Sequence, residues 1–194
     1  MFQVRIHGRG GQGVVTAAEM LSVAAFDEGR HAQAFPSFGS ERMGAPVVAF
    51  CRIDDWEIRL REPVVRPDAL IIQDSTLLHH VDVFSGLGSD GYILINSTRT
   101  LAELGLEELL SRQSRERVCA VPATEIAMRH LGRPLPNAAL LGGFAAITQQ
   151  LSIGSVVGAI HAKFPGKVGE SNVAAARAAF ESVLESVSRS HAHA

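Results

Sequence analysis

Residues 6–17 read IHGRGGQGVVTA, and the architecture of the chain can be argued from them. Apolar residues lead into this segment as a strand, four glycines follow within six residues, and an apolar run leaves as a helix. Gly8, Gly10 and Gly13 fit the pattern G-x-G-x-x-G, which allows a tight turn, close approach of a phosphate, and helix–strand packing. The N–H groups and positive dipole end of the helix favour an anion. The segment therefore predicts a Rossmann-like, glycine-rich first βα turn that can hold a phosphate.

The flanking sequence does not complete a dinucleotide site. Such a site carries an acidic residue about 20 residues further on, at the end of the second strand, to hold the ribose. Here that strand ends QAFPSFG, and the next acidic residue is Glu41. No G-K-S/T follows the loop, so it is not a Walker A motif. A free-standing dehydrogenase is disfavoured, and a glycine turn that serves geometry alone is an alternative.

Strand-like and helix-like segments alternate along the chain. Strands are predicted at residues 4–7, 31–35, 47–53, 56–60, 69–73, 92–96 and 118–121, and helices at 14–26, 76–84, 101–112, 124–131, 138–151, 155–164 and 172–187. Residues 47–53 and 56–60 are predicted to form a β-hairpin. The apolar runs ALIIQ and YILIN suit a parallel sheet buried on both faces. The pattern predicts a single three-layer α/β domain over 1–187, with a mostly parallel sheet and an antiparallel hairpin, and a frayed tail at 188–194.

Composition limits the classes of function. Eighteen Lys and Arg residues against 20 Asp and Glu give a formal net charge of -2, which does not favour nucleic acid or an anionic membrane. No apolar stretch reaches the roughly 18 residues that span a bilayer, and no signal peptide is evident, so a cytoplasmic location is expected. Cys51 and Cys119 form no CxxC pair and are predicted to be buried reduced thiols. The histidines show no metal-ligand spacing, so neither a catalytic residue nor a metal ligand is predicted, and His7 is expected to be structural.

A second distinctive segment is the loop PSFGSERMGAP, residues 36–46. Two prolines bracket two glycines, two serines and the adjacent charges of Glu41 and Arg42. A loop of this length with its own small and polar groups is often functional. An ordered connection, in which Glu41 and Arg42 pair with each other or face solvent, is an equal alternative.

Three segments, GRGGQGVVTAAEML, AQAFPSFGSERMGAPVVAFCRI and KFPGKVGESNVAAARAAF, together resemble one family. They are similar to the gamma subunit, or the equivalent fused domain, of the pyruvate and 2-oxoacid:ferredoxin oxidoreductases. The resemblance implies an α/β domain of a complex that decarboxylates a 2-oxoacid on thiamine diphosphate, sends electrons through iron–sulfur clusters to ferredoxin, and transfers the acyl group to coenzyme A. It places thiamine diphosphate and magnesium on alpha and beta subunits. The clusters fall on the beta subunit and on a ferredoxin-like delta subunit, and none of these groups falls on this chain.

The same resemblance suggests an anion for the glycine loop, namely a phosphate of coenzyme A. The residues predicted to bind this co-substrate are Gly8, Arg9, Gly10, Gly11, Gln12, Gly13, Ser37 and Arg42. Backbone N–H groups between Gly10 and Gly13 would face the phosphate, and Arg9 or Arg42 would add charge. Lys163 and Lys167 form a second basic pair, and Ser171 and Asn172 stand at a predicted helix start; solvated lysines and an N-cap are the simpler interpretation.

Three classes of function remain open at the level of sequence. The chain is a non-catalytic subunit that supports assembly and handles coenzyme A, an independent nucleotide-binding oxidoreductase or regulator, or a structural scaffold that only docks on partner chains. The 2-oxoacid is undecided among pyruvate, 2-oxoglutarate, branched-chain and aryl compounds. The pocket that selects it is expected mainly on the thiamine-binding chains.

Overall fold

The first βα turn lies near the middle of the sheet. The computed structural model describes residues 1–37 and 43–192. Its strands are β1 (Phe2–Arg9), β2 (His31–Pro36), β3 (Pro46–Asp54), β4 (Ala69–Ile72), β5 (Tyr92–Asn96) and β6 (Val118–Val121). Their order across the sheet is β2-β3-β1-β4-β5-β6. β1, β4, β5 and β6 pair in parallel, whereas β3 is antiparallel to both β1 and β2.

Helices cover one face of this sheet and shorter segments cover part of the other. The α-helices are α1 (Val14–Asp27), α2 (Glu107–Leu110), α3 (Ala123–Leu131), α4 (Asn137–Thr148), α5 (Ile153–Lys163) and α6 (Gly166–Ala192), with 3₁₀ helices at Ser75–His79 and Arg115–Arg117. Ile6, Ile71 and Leu94 share one buried cluster with residues of α1 and α3 to α6. Alternate strand residues such as Ile72 and Ile95 pack instead against the segments around residues 77–83 and 104–106. The predicted α/β fold is confirmed, and its third layer is thin.

The predicted β-hairpin is wrong in its second strand. Residues 56–60 form no strand, and Trp56 is 80% exposed. The antiparallel partners of β3 are β1 and β2, which occupy both of its edges. Because a strand has only two hydrogen-bonding edges, residues 56–60 find no place beside β3. Their β-branched and aromatic content indicated strand propensity but not whether an edge was free.

Helix boundaries also differ from the predictions. Where a helix was predicted over 101–112, the α-helix is confined to Glu107–Leu110, because Gly105 turns the chain at φ +72°. Over 76–84 the structure has only the 3₁₀ helix Ser75–His79. α6 begins at Gly166 rather than at residue 172, and it continues to Ala192, so the segment 188–192 is helical where a frayed tail was expected. Asn172 lies inside this helix, where its Nδ2 donates to the Val168 carbonyl at 2.8 Å, and is not an N-cap.

Candidate functional site

The glycine loop joins β1 to α1 through two residues in the left-handed region. Gly11 has φ +92° and Gly13 has φ +72°, backbone conformations that residues other than glycine rarely adopt. Gly13 is the N-cap of α1 and offers no side chain to the helix start, and the first turn of α1 carries no acidic residue. Neither the N-cap nor the first turn of α1 therefore supplies a negative charge or a side-chain acceptor to the positive end of the helix dipole.

A cavity of about 300 Å³ lies at this helix start. It is lined by Arg9, Gly10, Gly11, Gly13, Val14, Val15, Thr16 and Val47. The N–H groups of a first helical turn have no intrahelical carbonyl partner, so they are available to a ligand in such a cavity. The structure thus brings most of the predicted loop residues to one concave surface.

Two of the predicted N–H donors already form backbone hydrogen bonds with other residues of the chain. The N–H of Gly10 donates to the Ala45 carbonyl at 2.9 Å, and that of Gln12 donates to the Arg9 carbonyl at 3.0 Å. Among the residues the structure describes, Gly11, Gly13 and the first turn of α1 are the remaining sources of N–H groups on this cavity. The geometry moves the candidate anion site towards the helix start.

Arg9 and Gln12 brace the loop against the end of β4. The Arg9 guanidinium donates to Asp74 Oδ2 at 3.1 Å, to Thr76 Oγ1 at 2.8 Å and to the Gly44 carbonyl at 3.0 Å. Gln12 Nε2 donates to the same Asp74 oxygen at 3.0 Å, and its Oε1 accepts from the Arg9 N–H at 2.8 Å. Partial burial would raise the pKa of the Asp74 carboxyl, but hydrogen bonds from Thr76 and Gln12 and the charge of Arg9 lower it below its ordinary value. Asp74 therefore stays ionised and offsets the charge of Arg9.

The second distinctive loop meets the first. Gly10 forms a β-bridge with Met43, and the Gly44 N–H donates to the Gly10 carbonyl at 3.1 Å. The Ser37 N–H donates to the Val48 carbonyl at 2.8 Å, and Ser37 is exposed. Arg42, predicted to add charge to a phosphate, lies outside the described residues. The two segments that stand out in the sequence therefore form one surface around Gly10.

Polar residues that sequence reasoning missed lie at the ends of β4 and β5. Gln73 follows β4 and is 1% exposed, and neither Oε1 nor Nε2 of its amide has a hydrogen-bond partner among the described residues. A Cβ added to Gly8 would lie 3.2 Å from that Oε1, which places the amide directly beneath the glycine loop. Asn96, after the core of β5, donates through Nδ2 to the Gln73 carbonyl at 2.8 Å and to Thr124 Oγ1 at 2.7 Å.

These residues surround a reversal in strand order. The chain passes from β1 to β2 and β3 on one side and then to β4 and β5 on the other. In open α/β sheets ligands bind at the carboxyl ends of the strands where the order reverses. A polar residue directly after each apolar strand was the signal in the sequence, since Gln73 and Asn96 both follow such runs.

The basic residues near the C-terminal helix separate into two environments. Lys163 Nζ lies 2.9 Å from Glu19 Oε2 and forms an ion pair. Lys167, Ser171 and Asn172 instead line a second cavity, of about 400 Å³. Asn137 is shared between the two regions, because it lines this second cavity and its Nδ2 would lie 2.7 Å from a Cβ at Gly13.

Thiols and acidic groups give no sign of a metal centre in the described part of the chain. Cys51 and Cys119 are free and buried, as predicted, and burial raises the pKa of Cys51 to about 12. Residues 1–37 and 43–192 contain no cluster of three or more His, Cys, Asp or Glu side chains with metal-binding geometry. In the same residues, no helix combines the length and the apolar character needed to cross a membrane.

Comparison with known proteins places this geometry in a family. Residues 3–182 match the family model described as pyruvate ferredoxin/flavodoxin oxidoreductase. The chain is 47% identical over 181 residues to the "Pyruvate/ketoisovalerate oxidoreductases common subunit gamma" of Pyrococcus abyssi, covering 93% of this chain and 96% of that protein.

Solved structures agree with the sequence matches. The crystal structure of pyruvate oxidoreductase subunit PORC from Thermotoga maritima superposes with a TM-score of 0.78 at 34% identity, covering 93% of this chain and 95% of that one. A 2-oxoglutarate:ferredoxin oxidoreductase from Magnetococcus marinus, solved with 2-oxoglutarate, coenzyme A and succinyl-CoA bound, gives a TM-score of 0.70 at 15% identity. That match covers 95% of this chain and 31% of the longer one, and it shows the fold alone. The chain belongs to the pyruvate ferredoxin/flavodoxin oxidoreductase family, as a gamma subunit of an oxidoreductase complex that acts on pyruvate or a related 2-oxoacid.

Proposed function

We propose that this gamma subunit binds the diphosphate of coenzyme A at the first βα turn and contributes to assembly of the complex. Thiamine diphosphate, magnesium and the iron–sulfur clusters belong, in this proposal, to alpha, beta and ferredoxin-like delta partners in the cytoplasm. Thiamine diphosphate supplies the decarboxylation chemistry there, and ferredoxin accepts the electrons. The residues of this chain hold and orient the co-substrate.

The observation that carries the proposal is the open helix start beside a cavity. α1 has no acidic residue in its first turn and no side-chain cap, and its start lines about 300 Å³ of space. A diphosphate offers several anionic oxygens to N–H groups converging in this way. The braced pair of Arg9 and Asp74 holds the loop in shape before the ligand arrives.

Substrate selection is assigned to the partner subunits. The Pyrococcus abyssi relative is named as a subunit common to pyruvate and ketoisovalerate oxidoreductases. A gamma subunit that serves enzymes for two different 2-oxoacids suits a role on the co-substrate that both reactions share. We therefore assign coenzyme A, and not the 2-oxoacid, to this chain.

An independent dinucleotide-dependent enzyme is disfavoured by the sheet order as well as by the sequence. In a dinucleotide-binding fold the ribose carboxylate stands at the end of the strand next to the first. Here β3 lies between β1 and β2, so the end of β2 is two strands away from the glycine loop. Pro36 and Ser37, at that end, offer no carboxylate.

Docking on partner chains without a ligand is the second candidate, and exposed apolar side chains favour an assembly role. Met43 is 87% exposed beside the glycine loop, and Trp56 and Val65 are 80% and 71% exposed. Exposed apolar side chains of this size would gain stability from burial against another chain. Assembly and ligand binding are compatible, so the test must separate them.

A charge placed at the helix start separates the two roles. Thr16 lines the cavity in the first turn of α1, where an acidic residue favours helix formation and repels an anionic ligand. We expect Thr16→Asp to preserve the assembled complex and to weaken coenzyme A binding by about tenfold or more. The reason is that repulsion between the new carboxylate and a phosphate in the same cavity costs on the order of 1–3 kcal/mol. The acyl-transfer half-reaction should slow while decarboxylation is retained.

Thr16→Asn is the matched control, because it has the same shape without the charge. It should keep both half-reactions near the wild-type rate. Equal loss of both half-reactions in an assembled Thr16→Asp complex, or full acyl transfer at limiting coenzyme A, would contradict the proposed site and leave docking as the role of the loop.

A further inference from the structure

One surface segment has the sequence pattern of a strand but no neighbouring strand. Residues 55–61 read DWEIRLR, in which apolar and charged side chains alternate as they do in a half-buried strand. Trp56 is 80% exposed, Leu60 is 41% exposed, and Ile58 is partly exposed. Within the described part of the chain, the backbone groups of residues 57–61 form no backbone–backbone hydrogen bond. This alternating segment, residues 55–61, therefore has both apolar side chains and backbone groups available to another chain.

Contacts at both ends hold the alternating segment in place. At its start, Asp54 Oδ1 accepts from the Asp55 N–H at 2.8 Å. Just past its end, the buried guanidinium of Arg52 donates through Nη2 to the Glu62 carbonyl at 2.6 Å. Between these contacts the chain forms no turn or bend over residues 57–61. Because the segment is already extended and anchored, pairing with a second chain costs it little conformational entropy.

The apolar half of the pattern is complementary to itself. We aligned two copies of the segment antiparallel about Ile58, so that residues equally distant from Ile58 lie opposite each other. Ile58 then lies opposite Ile58 of the second copy, and Trp56 lies opposite Leu60. These side chains share one face of the paired strands, because side chains alternate between the two faces. Directly opposed apolar pairs of this kind stabilise an antiparallel ladder.

The charged half of the pattern is complementary under the same alignment. Glu57 lies opposite Arg59, and Asp55 lies opposite Arg61. Glu57 and Arg59 of one chain already pair at 2.9 Å, but both side chains are largely exposed, so this ion pair is weak and can exchange partners. Arg61 forms no ion pair with another described residue. Opposite charges directly across two strands add to the stability of the pair.

The sequence also disfavours the neighbouring registers. A shift by one residue places apolar side chains opposite charged ones, on the wrong faces. Alignment about Glu57 or about Arg59 places two like charges directly opposite each other, which is destabilising. The antiparallel register about Ile58 is therefore specified by both halves of the pattern.

We propose that two copies of this chain pair through residues 55–61 as an antiparallel, two-fold symmetric pair of strands. This inference rests on the assembly role proposed above and is independent of the co-substrate site. A contact of this kind uses the same residues on both copies, so it joins two copies and then closes. A two-stranded ribbon is only marginally stable by itself, so the pairing takes place in the assembled complex, where the other subunits hold two copies close together.

Oxidative cross-linking of the assembled complex tests the pairing. Ile58→Cys places a thiol on the two-fold axis, where opposite residues have Cα atoms about 4.5–5.5 Å apart, within reach of a disulfide. The native thiols of Cys51 and Cys119 are buried and do not compete. We expect mild oxidation to convert most of this chain into covalent pairs of two copies. Leu60→Cys is the matched control, because its two thiols would lie four residues apart along the ladder, roughly 13 Å, which is too far for a disulfide.

Charge reversal in the Ile58→Cys background tests the register. Glu57→Arg should slow the cross-linking by about fivefold or more, because the two-fold symmetry turns two attractive contacts into two repulsive ones. Combining Glu57→Arg with Arg59→Glu should restore the original rate, since opposite charges again lie across from each other.

The possible failures separate this inference from the assembly role. An assembled complex in which Ile58→Cys gives no covalent pair, or no more than Leu60→Cys gives, overturns the self-pairing and leaves the assembly role standing. A disulfide from Ile58→Cys to a different subunit also overturns it, because the segment would then pair with that subunit. Wild-type chain that purifies without any other subunit would overturn the assembly role as well.

Discussion

His7 shows how a single buried residue makes the stability of this fold depend on pH. It lies in β1 with 4% of its surface exposed, and its Nε2 accepts a hydrogen bond from Arg5 Nε at 3.0 Å. Burial, and then the neighbouring charge of Arg5, lower the pKa of His7 to about 4. The neutral imidazole therefore has a structural role in β1 as the buried hydrogen-bond partner of Arg5, in agreement with the prediction of a structural histidine.

The pH dependence follows from the sign of this shift. Between about pH 6.5 and pH 4 the unfolded chain binds a proton at His7 that the folded chain does not, so the free energy of unfolding falls as the pH falls. The total loss from this group is about 3 kcal/mol, and it ends below pH 4, where both states are protonated. Urea unfolding of the wild type and of His7→Gln at several pH values checks this. His7→Gln should show a shallower fall over the window, and parallel curves for the two proteins would contradict the assignment.

Gln73 is the second residue with a measurable consequence. Its amide is buried without a partner among the described residues, and such a group costs about 1–3 kcal/mol relative to a satisfied or apolar one. Gln73→Met keeps the length of the side chain and removes the amide, so we expect the free energy of unfolding to rise by a similar amount. Thermal unfolding measures the change. A lower melting temperature for Gln73→Met would mean that the amide is stabilising where it lies.

At the scale of elements, the packing of α4 against α6 is the contact most sensitive to side-chain size. α4 is buried along its length, and a Cβ added to Gly142 would overlap the carbonyl group of Ala176 on α6. The backbone of α6 cannot move aside as a flexible side chain can. Gly142→Ala should therefore lower the free energy of unfolding by about 1–3 kcal/mol.

Gly158 in α5 is the matched control for Gly142. It is exposed, and a Cβ there would lie in ordinary contact, 3.6 Å from Asp27 Oδ2. Gly158→Ala should therefore raise stability by about 0.5–1 kcal/mol, the usual gain from replacing glycine inside a helix. Denaturant midpoints of the two variants should move in opposite directions. A Gly142→Ala protein as stable as the wild type would show that the two helices are not in backbone contact.

Individual strands illustrate which parts of the fold could be predicted from the sequence and which could not. The segments ALIIQ and YILIN predicted β4 and β5 closely, because a strand buried on both faces requires a continuous apolar run. Residues 56–60 have strand-like composition, but pairing depends on free edges elsewhere in the sheet, which no local pattern reports. The buried amide of Gln73 was missed for a related reason: its importance comes from Gly8 above it, 65 residues earlier in the chain.

At the scale of the whole molecule, the residues proposed to bind the ligand lie at one end of the sheet. The glycine loop, the ends of β4 and β5, and the start of α4 converge there, and the second cavity extends the same region towards α6. The opposite face, where Leu104 and Leu106 pack against β5, has no part in the proposed site. Binding should therefore slow amide exchange at this end of the sheet and leave exchange on the opposite face unaltered.

Hydrogen–deuterium exchange of the assembled complex, with and without coenzyme A, tests whether this chain binds the co-substrate at the glycine loop. Amides that donate to a bound phosphate exchange more slowly, and those of Gly11, Gly13 and the first turn of α1 are the proposed donors. We expect peptides covering residues 8–17 to gain protection when coenzyme A is added, while peptides covering 101–112 remain unchanged. Unaltered exchange at residues 8–17, with protection confined to the partner subunits, would contradict the assignment of coenzyme A to this chain.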